Sequence, residues 1–138
     1  MSRVVSAAIL GLGIIALLLV LNSADRRRER RVNRIVLDDP AVRVEQVMGR
    51  APIRCPAGPM QHLVERFPAG TPRPTAVGTV ERLRAETAER WIYPAGRRRE
   101  GCTPRTGDVE IGMDAERRVV WLVPATGERP LVYPVPAS

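Results

Sequence analysis

The sequence predicts an α+β protein: an N-terminal transmembrane helix, then a small domain with two short helices and a three- to four-stranded antiparallel sheet. Three observations predict it. The stretch from Val4 to Ala24 contains no charged residue. Between residues 38 and 90, apolar side chains recur at helical spacing in short runs separated by Pro and Gly. After Arg90 the pattern changes to the alternation of half-buried strands. Four of the five aromatic residues, Trp91, Tyr93, Trp121 and Tyr133, lie there, with Phe67 outside. Aromatic rings bury the most area per residue, so the best core is expected in that last part.

The uncharged run would rise about 31 Å as a helix, against about 30 Å of bilayer hydrocarbon. It exceeds the roughly 7 to 15 apolar residues of a signal-peptide core, and "LNSA" is a poor cleavage site because Asn22 stands where a small residue is wanted. Residues 1–24 are therefore expected to stay attached as a membrane span. Within it Ala7 and Gly11, four apart, would let another helix approach closely. Arg26, Arg27, Arg28, Arg30, Arg31 and Arg34 follow the span, whereas only Arg3 precedes it. Excess Arg marks the cytoplasmic side. The expectation is a single-pass protein of a bacterial inner (cytoplasmic) membrane with its body in the cytoplasm; the alternative is a periplasmic body.

The chain of 138 residues has a formal net charge of +7. Residues 1–34 hold seven Arg against two acids, and residues 35–138 hold fifteen against thirteen. The excess is thus a juxtamembrane cluster, and the nearly balanced body argues against nucleic acid as a partner. Anionic lipid headgroups are the expected contact for the six Arg that follow the span.

Residues 25–37 read as an Arg-rich stalk that continues the membrane helix, with Val32, Ile35 and Val36 on one face. Residues 38–138 read as the small domain. In "DDPAVRVEQVMGR", Asp39 is placed to cap a short helix and Pro40 suits its first turn. Val44, Val47 and Met48 form its apolar stripe, and Gly49 is suited to stop it. Residues 50–75 form a Pro/Gly-rich insertion in which only "MQHLVER" has room for a helical turn or two. "TVERLRAETAER" reads as a second helix, with Val80, Leu83 and Thr87 on one side. "RWIYP" is a short strand, "GRRREGCTPRTG" a basic connection, and "DVEIGM" a half-buried strand with Val109, Ile111 and Met113 inward. "DAER" is a tight turn. "RVVWLVP" is the most apolar strand and is expected to be central. "LVYPV" would add a final edge strand, because Pro134 cannot donate to a ladder. The expected core is Val44, Val47, Met48, Trp91, Tyr93 and Trp121, with both tryptophans against the first short helix.

No catalytic constellation, cofactor motif or metal-ligand spacing stands out. His62 beside Cys55 would lack a third group to orient it, and Cys55, Cys102 and His62 are too few and too irregularly spaced for zinc. Cys55 and Cys102 form a disulfide only if the body lies in an oxidising compartment; a cytoplasmic body implies reduced thiols. The "GRRRE" run at 96–100 is a second basic patch, suited to phosphates or a partner's acids, with a solvated loop as the default.

Within residues 38–124 the order "VMGRAP", "RWIYP", "VEIGMDAERRVVWLV" resembles the SmpA/OmlA (BamE-like) small domain. The matching positions are Gly49 and Pro52, Trp91 and Tyr93, and Asp114 with Val119 and Val120. The resemblance implies two helices packed on a three-stranded antiparallel sheet, and work in envelope assembly in the periplasm. Fold alone does not carry function. The expected function is a non-catalytic, single-pass accessory subunit that binds and stabilises a larger integral membrane protein complex, with respiratory or photosynthetic assemblies as candidate hosts and no small-molecule substrate. The alternative is a periplasmic assembly factor of the SmpA/OmlA type.

Overall fold

The computed structural model describes residues 2–125 and 129–137. Helix α1 runs unbroken over Ser2–Val32. It is long and apolar enough to cross a membrane, and its most apolar stretch is not buried among the described residues. A small domain of the expected α+β class follows: α2 (Ala41–Met48), β1 (Ile53–Pro56), a 3₁₀ helix (Gln61–Arg66), α3 (Arg73–Glu86), β2 (Glu89–Tyr93), β3 (Val109–Met113) and β4 (Val119–Val123). The four strands form one antiparallel sheet in the order β1-β2-β3-β4.

The sheet is covered on both faces. On one, Trp91, Tyr93, Val109, Ile111 and Met113 meet Val44 and Val47 of α2 and Val32 and Ile35 from the end of the stalk. Val32 and Ile35 are only 1% and 4% exposed. The stalk is therefore not a spacer: its end is part of the domain core, and the long apolar helix is fixed directly to the folded body. On the other face, Trp121 and Val123 meet Leu63 of the 3₁₀ helix and Val80 and Leu83 of α3.

Several expectations are corrected here. Trp121 is buried, but on the face opposite α2, because β4 directs it across the sheet from Trp91. Its indole lies over Gly112, where an added Cβ would come within 2.0 Å of Nε1. Its Nε1–H donates to Thr87 Oγ1 (2.9 Å), which donates to the Leu83 carbonyl (2.6 Å). Asp39 does not cap α2. The residue before that helix is Pro40, and Asp39 Oδ2 accepts from the Val36 amide instead. The Pro/Gly-rich region holds a strand, β1, and α3 begins within it at Arg73, since Pro is accepted in a first helical turn. Strand β3 is buried along its whole length, polar positions included, because helices cover both faces. Strand β4 ends the sheet rather than lying at its centre. Its outer edge is closed by two isolated bridges, Pro40–Arg118 and Leu122–Val132. The second is all that forms of the expected final strand. Closing the edge this way removes an open ladder that could pair with other chains.

Asp114 holds the β3–β4 turn, its Oδ1 accepting from the amides of Glu116 (3.0 Å) and Arg118 (2.9 Å). Gly49, at φ +82°, ends α2, and its carbonyl accepts from the Tyr93 hydroxyl at 2.8 Å.

Candidate functional site

Two polar assemblies stand out from this core. The first is buried. Glu110 sits on β3 between a strand neighbour and the 3₁₀ helix, with its side chain 2% exposed. Its Oε2 accepts from Arg90 Nη1 on β2 at 2.8 Å, and its Oε1 lies 2.8 Å from His62 Nε2. Arg90 also donates to the carbonyls of Pro56 (3.3 Å) and Cys102 (3.4 Å). A buried charge is tolerable only when paired and hydrogen-bonded, and both partners meet that condition. His62 and Arg90 line a cavity of about 360 Å³ with Gln61, Cys102 and Thr103.

His62 therefore does have an orienting carboxylate. The sulfur weighed as its nucleophile does not serve: Cys55 is bonded to Cys102. The bond ties β1 to the connection between β2 and β3. In place of the reduced thiols expected for a cytoplasmic body, the two sulfurs form a crosslink, a kind of bond commonest in proteins of oxidising compartments.

The second assembly lies where the long apolar helix meets the domain. A cleft of about 940 Å³ is walled on one side by α1 from Val20 to Arg31 and on the other by Met48, Pro52 and the loop after β2. It brings together the two basic runs that are separate in sequence: Arg27, Arg28 and Arg31 from the stalk, and Arg97, Arg98 and Arg99 from "GRRRE". Among the described residues, no carboxylate lines it. Two of the six Arg are committed to the fold. Arg28 donates to the Tyr93 carbonyl, and Arg98 pairs with the buried Asp108. Asp108 in turn accepts from the amides of Ala95 (3.0 Å) and Arg105 (2.9 Å), which sets the shape of the loop.

The remaining expected positions fall as follows. Arg26, Arg30 and Arg34 are exposed outside the cleft. Ala7 is exposed, and a side chain built on Gly11 would meet nothing within 4 Å. Val44, Val47, Trp91, Tyr93 and Trp121 are buried, and Met48 is half-buried at the cleft. Glu110 and Arg90 were not distinguishable in the sequence as a site. Each occupies the polar phase of an alternating strand, which reads as solvent-facing when nothing shows a second covering layer.

Compared with known proteins, the chain matches no family model, no curated protein and no solved structure.

Proposed function

We propose that this chain is a non-catalytic, single-pass accessory subunit of a larger integral membrane protein complex, with its domain on the oxidising side of a bacterial inner membrane. One observation carries the reading: α1 passes without a break from the uncharged run to Val32, which is buried in the domain core, and Ile35, in the turn just beyond the helix, is buried with it. A tether for a freely diffusing enzyme needs slack between anchor and body. A continuous helix instead holds the domain at one height and angle, as a subunit that must meet a neighbour's surface requires. The outward-facing span, with small residues at Ala7 and Gly11, supplies the surface within the bilayer.

The Arg count and the disulfide favour opposite sides. Arg bias governs short flanking loops, whereas longer domains are translocated largely regardless of charge. A disulfide across a folded domain, by contrast, does not persist among cytosolic reductants. The disulfide therefore has the greater weight. It also favours the second reading, an envelope-assembly factor of the SmpA/OmlA type. That reading fits the helix–sheet order and the Asp114 hairpin turn, although this sheet has a fourth strand, β1.

The test is affinity purification of the full chain from membranes solubilised in mild detergent, combined with labelling by a membrane-impermeant thiol reagent. The expected result is stoichiometric recovery of an integral membrane complex, with Cys55 and Cys102 labelled from outside only after reduction. Labelling only after permeabilisation, without reductant, would place the body in the cytoplasm. Recovery of the chain by itself would overturn the subunit reading.

A further inference from the structure

We infer that the cleft between α1 and the loop after β2 is a binding site for the phosphate-bearing headgroup of an anionic phospholipid. This goes beyond a general attraction of the stalk to the membrane surface, and it rests on the membrane-anchored reading above. Four observations support it. First, the cleft lies where the uncharged run ends: Val20, Ser23 and Ala24 line its lower part, and Arg27 and Arg31 the next turn and the one after. That is headgroup level for a span beginning near Val4. Second, the side chains of Arg27, Arg31, Arg97 and Arg99 make no ion pair or hydrogen bond among the described residues, while Arg28 and Arg98 are held by the fold. Third, no acid among the described residues lines the cleft with them. Guanidinium groups of this kind match phosphate oxygens in pairs, with charge-assisted hydrogen bonds.

The fourth observation separates a lipid from a free phosphate. The cleft volume of about 940 Å³ is of the size that holds a whole small molecule, far more than a lone phosphate fills. Its walls also include Val20, Ala24, Met48 and Pro52. A free anion gains nothing from that apolar surface. The glycerol and first methylenes of a lipid do, and the acyl chains can then follow the exposed face of α1. The loop that supplies Arg97 and Arg99 is braced by the Arg98–Asp108 pair, so their approach to the stalk is built into the fold rather than left to a floppy segment.

The experiment uses the purified full chain in an uncharged detergent. Binding is read from the shift in thermal unfolding on titration with dioctanoylphosphatidylglycerol, dioctanoylphosphatidylcholine or inorganic phosphate. The expected result is a saturable rise with the glycerol lipid alone. The double variant Arg97→Gln/Arg99→Gln should bind about thirty-fold more weakly, and Arg43→Gln, exposed on α2 outside the cleft, should match the parent. An equal shift with inorganic phosphate would make this a free-phosphate site and overturn the lipid assignment. An equal shift with the choline lipid, an equal loss in Arg43→Gln, or no shift at all would overturn the site. Alkaline carbonate extraction of membranes keeps the two readings apart. A chain washed free fails as an anchored protein, whereas one that stays in the membrane and binds no anionic lipid fails only here.

Discussion

One face of the sheet carries Trp91, Val109, Ile111 and Met113 beneath α2 and the end of α1; the other carries Arg90, Glu110, Gly112 and Trp121 beneath the 3₁₀ helix and α3. Both are closed to solvent. The first is held mostly by apolar contact, with a polar margin in which Arg54 stacks over the Trp91 ring at 4.3 Å, Trp91 Nε1–H donates to Glu89 Oε1 (2.7 Å) and the Tyr93 hydroxyl donates to the Gly49 carbonyl (2.8 Å). The second combines an apolar half with an ion pair and a bonded histidine. Burial by apolar contact is undirected and forgiving of small shifts. Burial of Arg90 and Glu110 requires each hydrogen bond to be made, so that face specifies how β1, the 3₁₀ helix and the loop around Cys102 come together.

The largest effect should come from breaking that pairing. Glu110→Ala leaves the Arg90 guanidinium buried without its carboxylate and should lower stability by about 3 to 5 kcal/mol. Replacing both, as Arg90→Met/Glu110→Leu, should recover most of the loss, because well-packed apolar substitutes for a buried ion pair are often neutral. Urea unfolding of the three proteins in detergent measures this. A double variant as unstable as Glu110→Ala would mean that the pair contributes more than its own compensation. On the same face, Trp121→Ala should cost about 3 to 5 kcal/mol, from the lost ring and the lost indole donor to Thr87 Oγ1. An unchanged unfolding midpoint would show that Trp121 does not anchor α3.

The two faces were not equally legible in the sequence. Val44, Val47, Trp91, Ile111 and Met113 announce themselves, because apolar residues at period 3.6 or 2 have one obvious place to go. The same alternation assigns Arg90, Glu110 and Gly112 to solvent. Only the second layer of helices makes them interior, and that layer comes from a Pro-rich region where β1 and the start of α3 are disguised. Gly112 is instructive: its missing Cβ matters only once Trp121 lies across it, and that contact spans two strands. The long apolar N-terminal helix was legible from its uncharged length. The cleft was half legible: both Arg runs stand out, but their meeting depends on how far α1 continues and where the loop after β2 folds.

The disulfide tests whether the polar face needs a covalent brace. It closes a separation of 47 residues, for which loop-closure entropy alone gives about 4 kcal/mol. Cys102→Ala should therefore lower stability by about 2 to 4 kcal/mol, since measured values often fall below that limit. Reductant should do the same to the parent protein and nothing to the variant. A parent protein indifferent to reductant would mean that its thiols are not joined, and the oxidising side would lose its main support.

The smallest effect belongs to the apolar face. Tyr93 is 6% exposed and donates its hydroxyl to the Gly49 carbonyl. Burial, and secondarily the charge of Glu45, push its ionisation well above the ordinary tyrosine range, with Arg54 opposing. The neutral hydroxyl is thus favoured in the folded state. Its contribution is fully present below the unfolded value of about 10 and is lost as pH rises beyond it, because the unfolded chain releases the proton first. Tyr93→Phe removes one hydrogen bond and should cost about 0.5 to 1.5 kcal/mol at neutral pH. It should also flatten the alkaline decline, so the gap between variant and parent narrows above about pH 10. Urea unfolding at neutral pH and again above pH 10 checks both parts. Tyr133→Phe, at a half-buried tyrosine on the other face, serves as the comparison. If Tyr93→Phe leaves the alkaline decline as steep as in the parent, another group carries it, and the Tyr93 hydroxyl is not held neutral by its place under α2.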